Sequence, residues 1–205
     1  AVEYANVITI ENAQGKVIAD PTQDDVKRNT TGSLIGVTTN YFNAAAVDTN
    51  GLDFEAGYAF PASDAGEMSL TLVATHMLSY EIPVNGQTKD VVGLFNHDNF
   101  ARSLPETKAN ATFRWSNGSH NASVAARYIS GYETTRAGAP AGYSNDIESH
   151  LTIDLQYNYE LAIAESTARF TLGMLNASDK APPRVWDAAN FSYDPRQHDA
   201  RGRMA

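Results

Sequence analysis

The stretch HLTIDLQYNYE, residues 150–160, alternates strictly between apolar and polar side chains. The apolar positions are Leu151, Ile153, Leu155, Tyr157 and Tyr159, and every position between them is polar. Successive side chains of an extended chain point to opposite faces, so this period of two predicts a β-strand with one apolar and one polar face. What covers the apolar face then decides the fold.

The same alternation recurs in five further stretches, with Val73 and Met77 as apolar exceptions on a polar side. These stretches are residues 51–60, 67–80, 107–115, 121–132 and 169–176. Residues 2–10 form a seventh candidate strand, and no segment of ten or more residues keeps a helical period. The pattern predicts an all-β antiparallel meander of about seven strands.

The connections between these strands alternate in length. Residues 61–66, 116–120 and 161–166 are short and rich in turn residues, whereas 81–105, 133–148 and 177–201 are long. In an antiparallel meander this order places every short turn at one end and every long loop at the other. Aromatic residues also precede each short turn: Tyr58, Phe60, Phe113, Trp115, Tyr157 and Tyr159. Both features are typical of outer-membrane β-barrels, which have short periplasmic turns, long external loops and aromatic girdles.

Composition excludes several classes of function. The formal charge of −9 and the absence of a Lys/Arg cluster argue against a nucleic-acid partner. The chain has no cysteine, which excludes disulfides and thiolate metal sites. The polar faces mix acidic, basic, amide and hydroxyl groups, and only 19% of residues are charged. This mixture favours a wet barrel lumen over a soluble β-sandwich, which remains the alternative on pattern alone.

Three segments together resemble the C-terminal part of TonB-dependent receptors, the active transporters of the bacterial outer membrane. NAAAVDTNGLDFEAGYAF (43–60) resembles a long strand of that family, and GMLNASDKAPP (173–183) resembles its Gly-x-x-Asn-x-x-Asp-x-x-Pro-Pro element. YDPRQHDARGRM (193–204) resembles the Tyr-Asp-Pro-x-x-x-Asp-x-Arg-Gly-Arg element that precedes the last strand. The three segments occur in the family's order.

The resemblance implies that residues 1–205 are part of a transmembrane β-barrel that has 22 strands in the full family. About seven strands are then present, while the plug domain, the TonB box and the final strand are absent. It implies uptake of a scarce ligand, such as a siderophore, cobalamin or an oligosaccharide, across the bacterial outer membrane. The expected partners are outer-membrane lipid, the TonB complex through the N-terminal part, and a small-molecule or oligosaccharide ligand. A small barrel that serves as an adhesin or structural protein, and a soluble β-sandwich binding module, are the alternatives.

The long loops carry the candidate binding residues, because ligand contact concentrates on loops. Exposed aromatic and hydrogen-bonding groups there suit a sugar or a planar chelate, although loop packing with local Arg–Asp pairs is the competing interpretation. The candidates are His97, Asp98, Arg136, Trp186, Phe191 and Tyr193. The arginines of YDPR and ARGR are expected to pair with acids of the polar face such as Asp154 or Glu160.

The chain shows no arrangement that favours catalysis. The five histidines have no metal-ligand spacing, and no Ser-His-Asp set, phosphate-binding loop or forced carboxylate pair is present. We therefore expect no enzyme activity, no cofactor and no metal.

Overall fold

The computed structural model describes residues 26–28, 31, 33–37, 47–84, 87–96, 101–186 and 192–205. The chain divides into two compact units, Ala1–Ala46 and Val47–Ala205. In the first unit, β1 (Val26–Arg28) and β2 (Leu34–Val37) pair antiparallel, with a shift of register between Lys27 and Arg28. The strand predicted at 2–10 lies outside the described residues.

The second unit contains two sheets. Its strands are β3 (Asp48–Ala59), β4 (Glu67–Val84), β5 (Gln87–Asp90), β6 (Leu94–Phe95), β7 (Ser103–Leu104), β8 (Thr107–Asn117), β9 (His120–Ile129), β10 (Tyr132–Thr134), β11 (Asp146–Ile147), β12 (His150–Ile163) and β13 (Ser166–Met174). The large sheet has seven strands, in the order β13-β12-β9-β8-β4-β3 with β5 paired to β4, and all of its pairings are antiparallel. The six long strands predicted between residues 51 and 176 are confirmed, and so is the antiparallel meander.

The strand registers confirm the two faces that the alternation predicted. Residues directly opposite each other in an antiparallel pair project from the same face. One continuous row on the apolar face is Tyr58, Leu70, Phe113, Val124, Leu155 and Met174. A row on the other face is Glu55, Val73, Asn110, Arg127 and Thr152. The exception Val73 therefore projects from the polar face, among polar neighbours.

The apolar face is largely exposed. Leu172 is 74% exposed, Leu52 61% and Phe170 59%. The cluster of buried apolar residues lies outside this sheet, although Ile82 of β4 is also fully buried. Within the described residues the sheet is open, because its edge strands β3 and β13 do not pair with each other. Past the end of β13, a single bridge joins Leu175 to Met204. A continuous exposed apolar surface of this extent marks contact with another apolar medium or surface.

The short turns lie together at one end of the large sheet and the long connections at the other, as predicted. β8 and β9 are joined by a two-residue turn in which Gly118 has φ +55°, and β12 and β13 by one in which Ala164 has φ +51°. This last turn is shorter than the predicted 161–166, because both strands continue pairing up to Ile163 and Ser166.

One strand boundary was predicted wrongly. The alternation in 121–132 continues to Tyr132, but β9 ends at Ile129 and Tyr132 opens β10 in the second sheet. Gly131 allows this change of sheet, since a Cβ there would lie 2.9 Å from the Ile147 carbonyl oxygen. No helix among the described residues is long and apolar enough to cross a membrane.

Candidate functional site

The long connections fold into a layer of their own at one end of the meander, which we call the loop layer. Its sheet has the order β11-β10-β6-β7, so it combines strands from the first and second long connections. β10 runs parallel to β6, with Glu133 opposite Leu94 and the Glu133 amide donating to the Gly93 carbonyl oxygen at 2.9 Å. Residues far apart in the sequence therefore share one surface at this end.

The core of the loop layer contains residues from all three long connections. Tyr132, Ile147 and Val185 are buried, and Phe95 packs against them. Val185 belongs to the third connection, and its amide donates to the Ser192 carbonyl oxygen at 3.0 Å. The third connection is also joined to the first, because the Gln197 side-chain amide donates to the Ser103 carbonyl oxygen at 3.0 Å.

A buried polar triad includes Tyr132 of this core. The Tyr132 hydroxyl donates to the Asp194 carboxylate at 3.0 Å and lies 3.2 Å from Nε2 of His198. Asp194 is 1% exposed, and its other oxygen accepts the Arg196 amide at 3.0 Å. Burial and the negative charge of Asp194 raise the pKa of Tyr132 far above its ordinary value. Burial, together with the nearby His150, lowers the pKa of His198 to about 4.

The motif residues around Asn176 form a closed turn at the end of β13. Asn176 adopts φ +48°, a conformation that Asn tolerates better than most residues. Its side-chain amide donates to the Lys180 carbonyl oxygen and accepts the Lys180 amide, both at 3.0 Å. Asp179 in this turn accepts the Arg203 amide at 2.8 Å. The GMLNASDKAPP and YDPRQHDARGRM segments are therefore in direct contact.

A groove of about 350 Å³ opens between residues 142–149 and residues 180–186. Trp186 lines it and donates through Nε1 to the Asn145 side-chain oxygen at 3.1 Å. The Arg136 guanidinium lies over the Trp186 ring at 5.6 Å from its centroid. At the rim, the Arg184 guanidinium lies 6.0 Å from the centroid of the exposed Tyr143 ring. Aromatic faces beside guanidinium and amide groups suit a ligand that both stacks and accepts hydrogen bonds.

The structure brings together two of the six candidate binding residues, Arg136 and Trp186. Tyr193 is half-buried and directly precedes Asp194, which places it beside the buried triad. His97, Asp98 and Phe191 lie outside the described residues.

The expected partners of the C-terminal arginines are wrong. Asp154 pairs with Arg127, and Glu160 pairs with Arg169 at 2.5 Å. Arg201 pairs instead with Asp199 two residues before it, at 2.5 Å. The arginines Arg127 and Arg169 already project from the same face of the sheet as these acids, so the strand register supplies their charged partners. The other oxygen of Asp154 accepts the Asn176 amide at 2.9 Å.

Sequence reasoning missed the triad. In the sequence, Tyr132 continues the alternation of a strand, and His198 is one of five scattered histidines. Tyr132 is separated from Asp194 by 62 residues and from His198 by 66, so no local pattern connects them. The signal that was present is Asp194 itself, an acid inside the YDPR segment.

No group of three or more His, Asp or Glu side chains converges as metal ligands in the part of the chain that the structure describes. No family model, curated protein or solved structure matches this chain.

Proposed function

We propose that this chain forms part of the wall and external loops of an outer-membrane β-barrel that imports a scarce ligand, in the manner of TonB-dependent receptors. The observation that carries the proposal is the continuous exposed apolar face of an antiparallel meander whose long connections all lie at one end. A hydrocarbon bilayer is the medium that suits such a face.

The dimensions of the strands support this proposal. Transmembrane strands need about 9–11 residues at a tilt near 45°. β8 has 11 residues, β9 has 10 and β13 has 9. At about 3.3 Å per residue and a tilt of about 40°, β8 spans roughly 28 Å along the membrane normal, close to the roughly 25 Å apolar band of such barrels.

The aromatic residues at the ends of the strands support a membrane interface beside the short turns. Near the short turns Tyr58 and Phe60 pack edge to face at 4.9 Å between centroids, and Phe60 lies 6.4 Å from Phe113. Trp115 donates to the Ala65 carbonyl oxygen at 2.6 Å. Aromatic residues with a polar tip collect at membrane interfaces. We assign this end to the periplasmic side and the loop layer, with its groove at Trp186, to ligand capture.

Spin labels on single cysteines test the proposal, since the chain has no native cysteine. Leu172→Cys and Thr171→Cys place labels on opposite faces of β13, and both positions are exposed. In native membranes, we expect the label at Leu172 to collide with oxygen, which partitions into lipid. The matched label at Thr171 should collide instead with a water-soluble nickel chelate.

Two results would contradict the transporter proposal in different ways. A label at Leu172 that neither reagent reaches, in a protein recovered without membranes, indicates a soluble sandwich with that face buried. A lipid-facing label in a protein whose removal leaves ligand uptake unchanged indicates a barrel with a structural or adhesive role.

A further inference from the structure

Two buried imidazoles join the third long connection to the large sheet. His150 is the first residue of β12, and His198 belongs to the connection. Their ring centroids lie 4.9 Å apart, with 81° between the ring planes. The side chains are only 6% and 7% exposed. The third connection is therefore held against the end of a long strand by a contact between two titratable groups.

The neutral form of His198 fits this environment. The Tyr132 hydroxyl donates its single proton to Asp194, so its contact with Nε2 of His198 at 3.2 Å requires Nε2 to be the donor. Nδ1 of the neutral ring is then a lone pair. In each of the two rings Nδ1 is buried and has no hydrogen-bond partner. A charged ring carries a proton on both nitrogens, so its Nδ1 would be a buried donor without an acceptor.

The surrounding charges also oppose protonation of the pair. Two charged rings at this separation would repel each other. Lys108 acts on His198 in the same sense, and Lys180 acts on the other ring. Asp194 has the opposite effect, but the Tyr132 hydroxyl stands between its carboxylate and the imidazole. A cavity of about 270 Å³ beside the pair is lined by further charged groups that already pair with each other, Arg127 with Asp154 and Arg201 with Asp199.

We propose that this imidazole pair is an acid-sensitive switch, in which protonation of His198 releases residues 192–201 from the large sheet. The ring accepts a proton readily once it is hydrated in the released segment, whereas its buried position in the structure disfavours the charge. The conformation that binds more protons gains population as the pH falls. The switch is independent of what covers the apolar face of the sheet.

The size of the response follows from the pKa of His198. Burial, followed by the neighbouring imidazole, lowers this pKa from its ordinary value of 6.5 to about 4 in the structure. The resulting stabilisation of the segment is present above pH 6.5 and is lost as the pH falls from 6.5 toward 4. Between about pH 7.5 and about pH 5, the equilibrium constant for release should therefore rise about 30-fold.

Amide hydrogen exchange of the intact protein in detergent tests the switch. The amides of Gln197 and His198 donate to the Asp194 carbonyl oxygen at 3.3 and 3.0 Å, so their exchange reports opening of this segment. After correction for the intrinsic effect of pH on exchange, we expect their protection to fall about 30-fold between about pH 7.5 and about pH 5. The amides of β9, which is paired on both sides, should keep their protection.

Two variants change the titration while they keep a contact of the native ring. His198→Gln keeps a donor for the Tyr132 hydroxyl, and its protection should fall less than about threefold. His150→Phe keeps an aromatic ring against His198 and should reduce the fall, because it removes the neighbouring group that opposes the charge. The control His120→Gln, a histidine bonded to the Tyr157 hydroxyl, should respond like the wild type.

The proposal is overturned if protection in the wild-type protein does not change with pH, or if His198→Gln shows the same fall. A parallel loss of protection in β9 also overturns it, since acid then unfolds the large sheet as a whole. If His198→Gln does not fold, an undiminished fall in His150→Phe decides against the switch.

Discussion

Placing an arginine on the apolar face provides the sharpest test of what covers it. Leu155 lies near the middle of β12, opposite Val124 and Met174, and is 40% exposed. Its neighbour Gln156 is also exposed but projects from the polar face. Leu155→Arg and Gln156→Arg therefore introduce the same charge at the same depth on opposite faces.

The expected cost follows from the exposed fraction and the medium. Full burial of a leucine gains about 1.5–3 kcal/mol, so the exposed 40% of Leu155 gains about 0.6–1.2 kcal/mol from lipid. An arginine on the lipid face near the midplane costs about 2–4 kcal/mol. Leu155→Arg should therefore destabilise the protein by about 3–5 kcal/mol. Gln156→Arg should change stability by no more than about 0.5 kcal/mol, as most surface substitutions do.

The assay is reversible denaturant unfolding of the protein in lipid vesicles, followed by tryptophan fluorescence. Abundance in the outer-membrane fraction gives a second readout in cells. Equal stability of the two variants would refute the assignment of this face to lipid, because a water-exposed leucine tolerates arginine. A loss in Leu155→Arg that also appears in a detergent-free soluble protein would indicate a buried inter-sheet core instead.

Three further predictions concern the loops and one strand. Asp194→Ala should destabilise the loop layer by about 1–3 kcal/mol, because it leaves buried hydrogen-bond donors unpaired. We expect faster amide hydrogen exchange confined to the loops, and unchanged exchange would refute this prediction. Gly202→Ala should lower the free energy of unfolding by about 1–2 kcal/mol, since Gly202 has φ +68° and an added Cβ would lie 3.0 Å from an Asp179 oxygen. The control Gly57→Ala, which has open space around the added Cβ, should leave the free energy of unfolding unchanged. Trp186→Ala should lower ligand uptake at limiting concentration about tenfold, equivalent to about 1.4 kcal/mol, in assays with ferric chelates and oligosaccharides. Uptake by this variant at the wild-type rate would show that the groove does not take part in ligand capture.

Much of the large sheet was predictable because its signals are local. The alternation around Leu155 follows from the pleat of a single strand, and the pairing of Leu155 with Val124 and Met174 then places apolar residues on one face. The end of β9 was not predictable from this pattern, since Tyr132 continues the alternation after the chain has left the sheet. An alternation of apolar and polar residues indicates which face of a strand a residue lies on, but it does not indicate which strand lies beside that residue.

The candidate site was only partly predictable. The sequence places Arg136 and Trp186 on long loops, but their contact at 5.6 Å depends on how two loops fold together. The pairing of Asp154 with Arg127 likewise required the register of β12 against β9. Side-chain partners across strands are set by register, which local composition does not determine.

The sequence by itself determined that the part of the chain described by the structure is all-β, which residues share a face, and which connections are long, because these depend on side-chain alternation and turn residues within a few positions. Only the tertiary structure decided that the long connections form one layer and that Tyr132, Asp194 and His198 meet in its interior. Tyr132 is 62 positions from Asp194 and 66 from His198, and the geometry of these contacts is fixed by packing and by the satisfaction of buried polar groups.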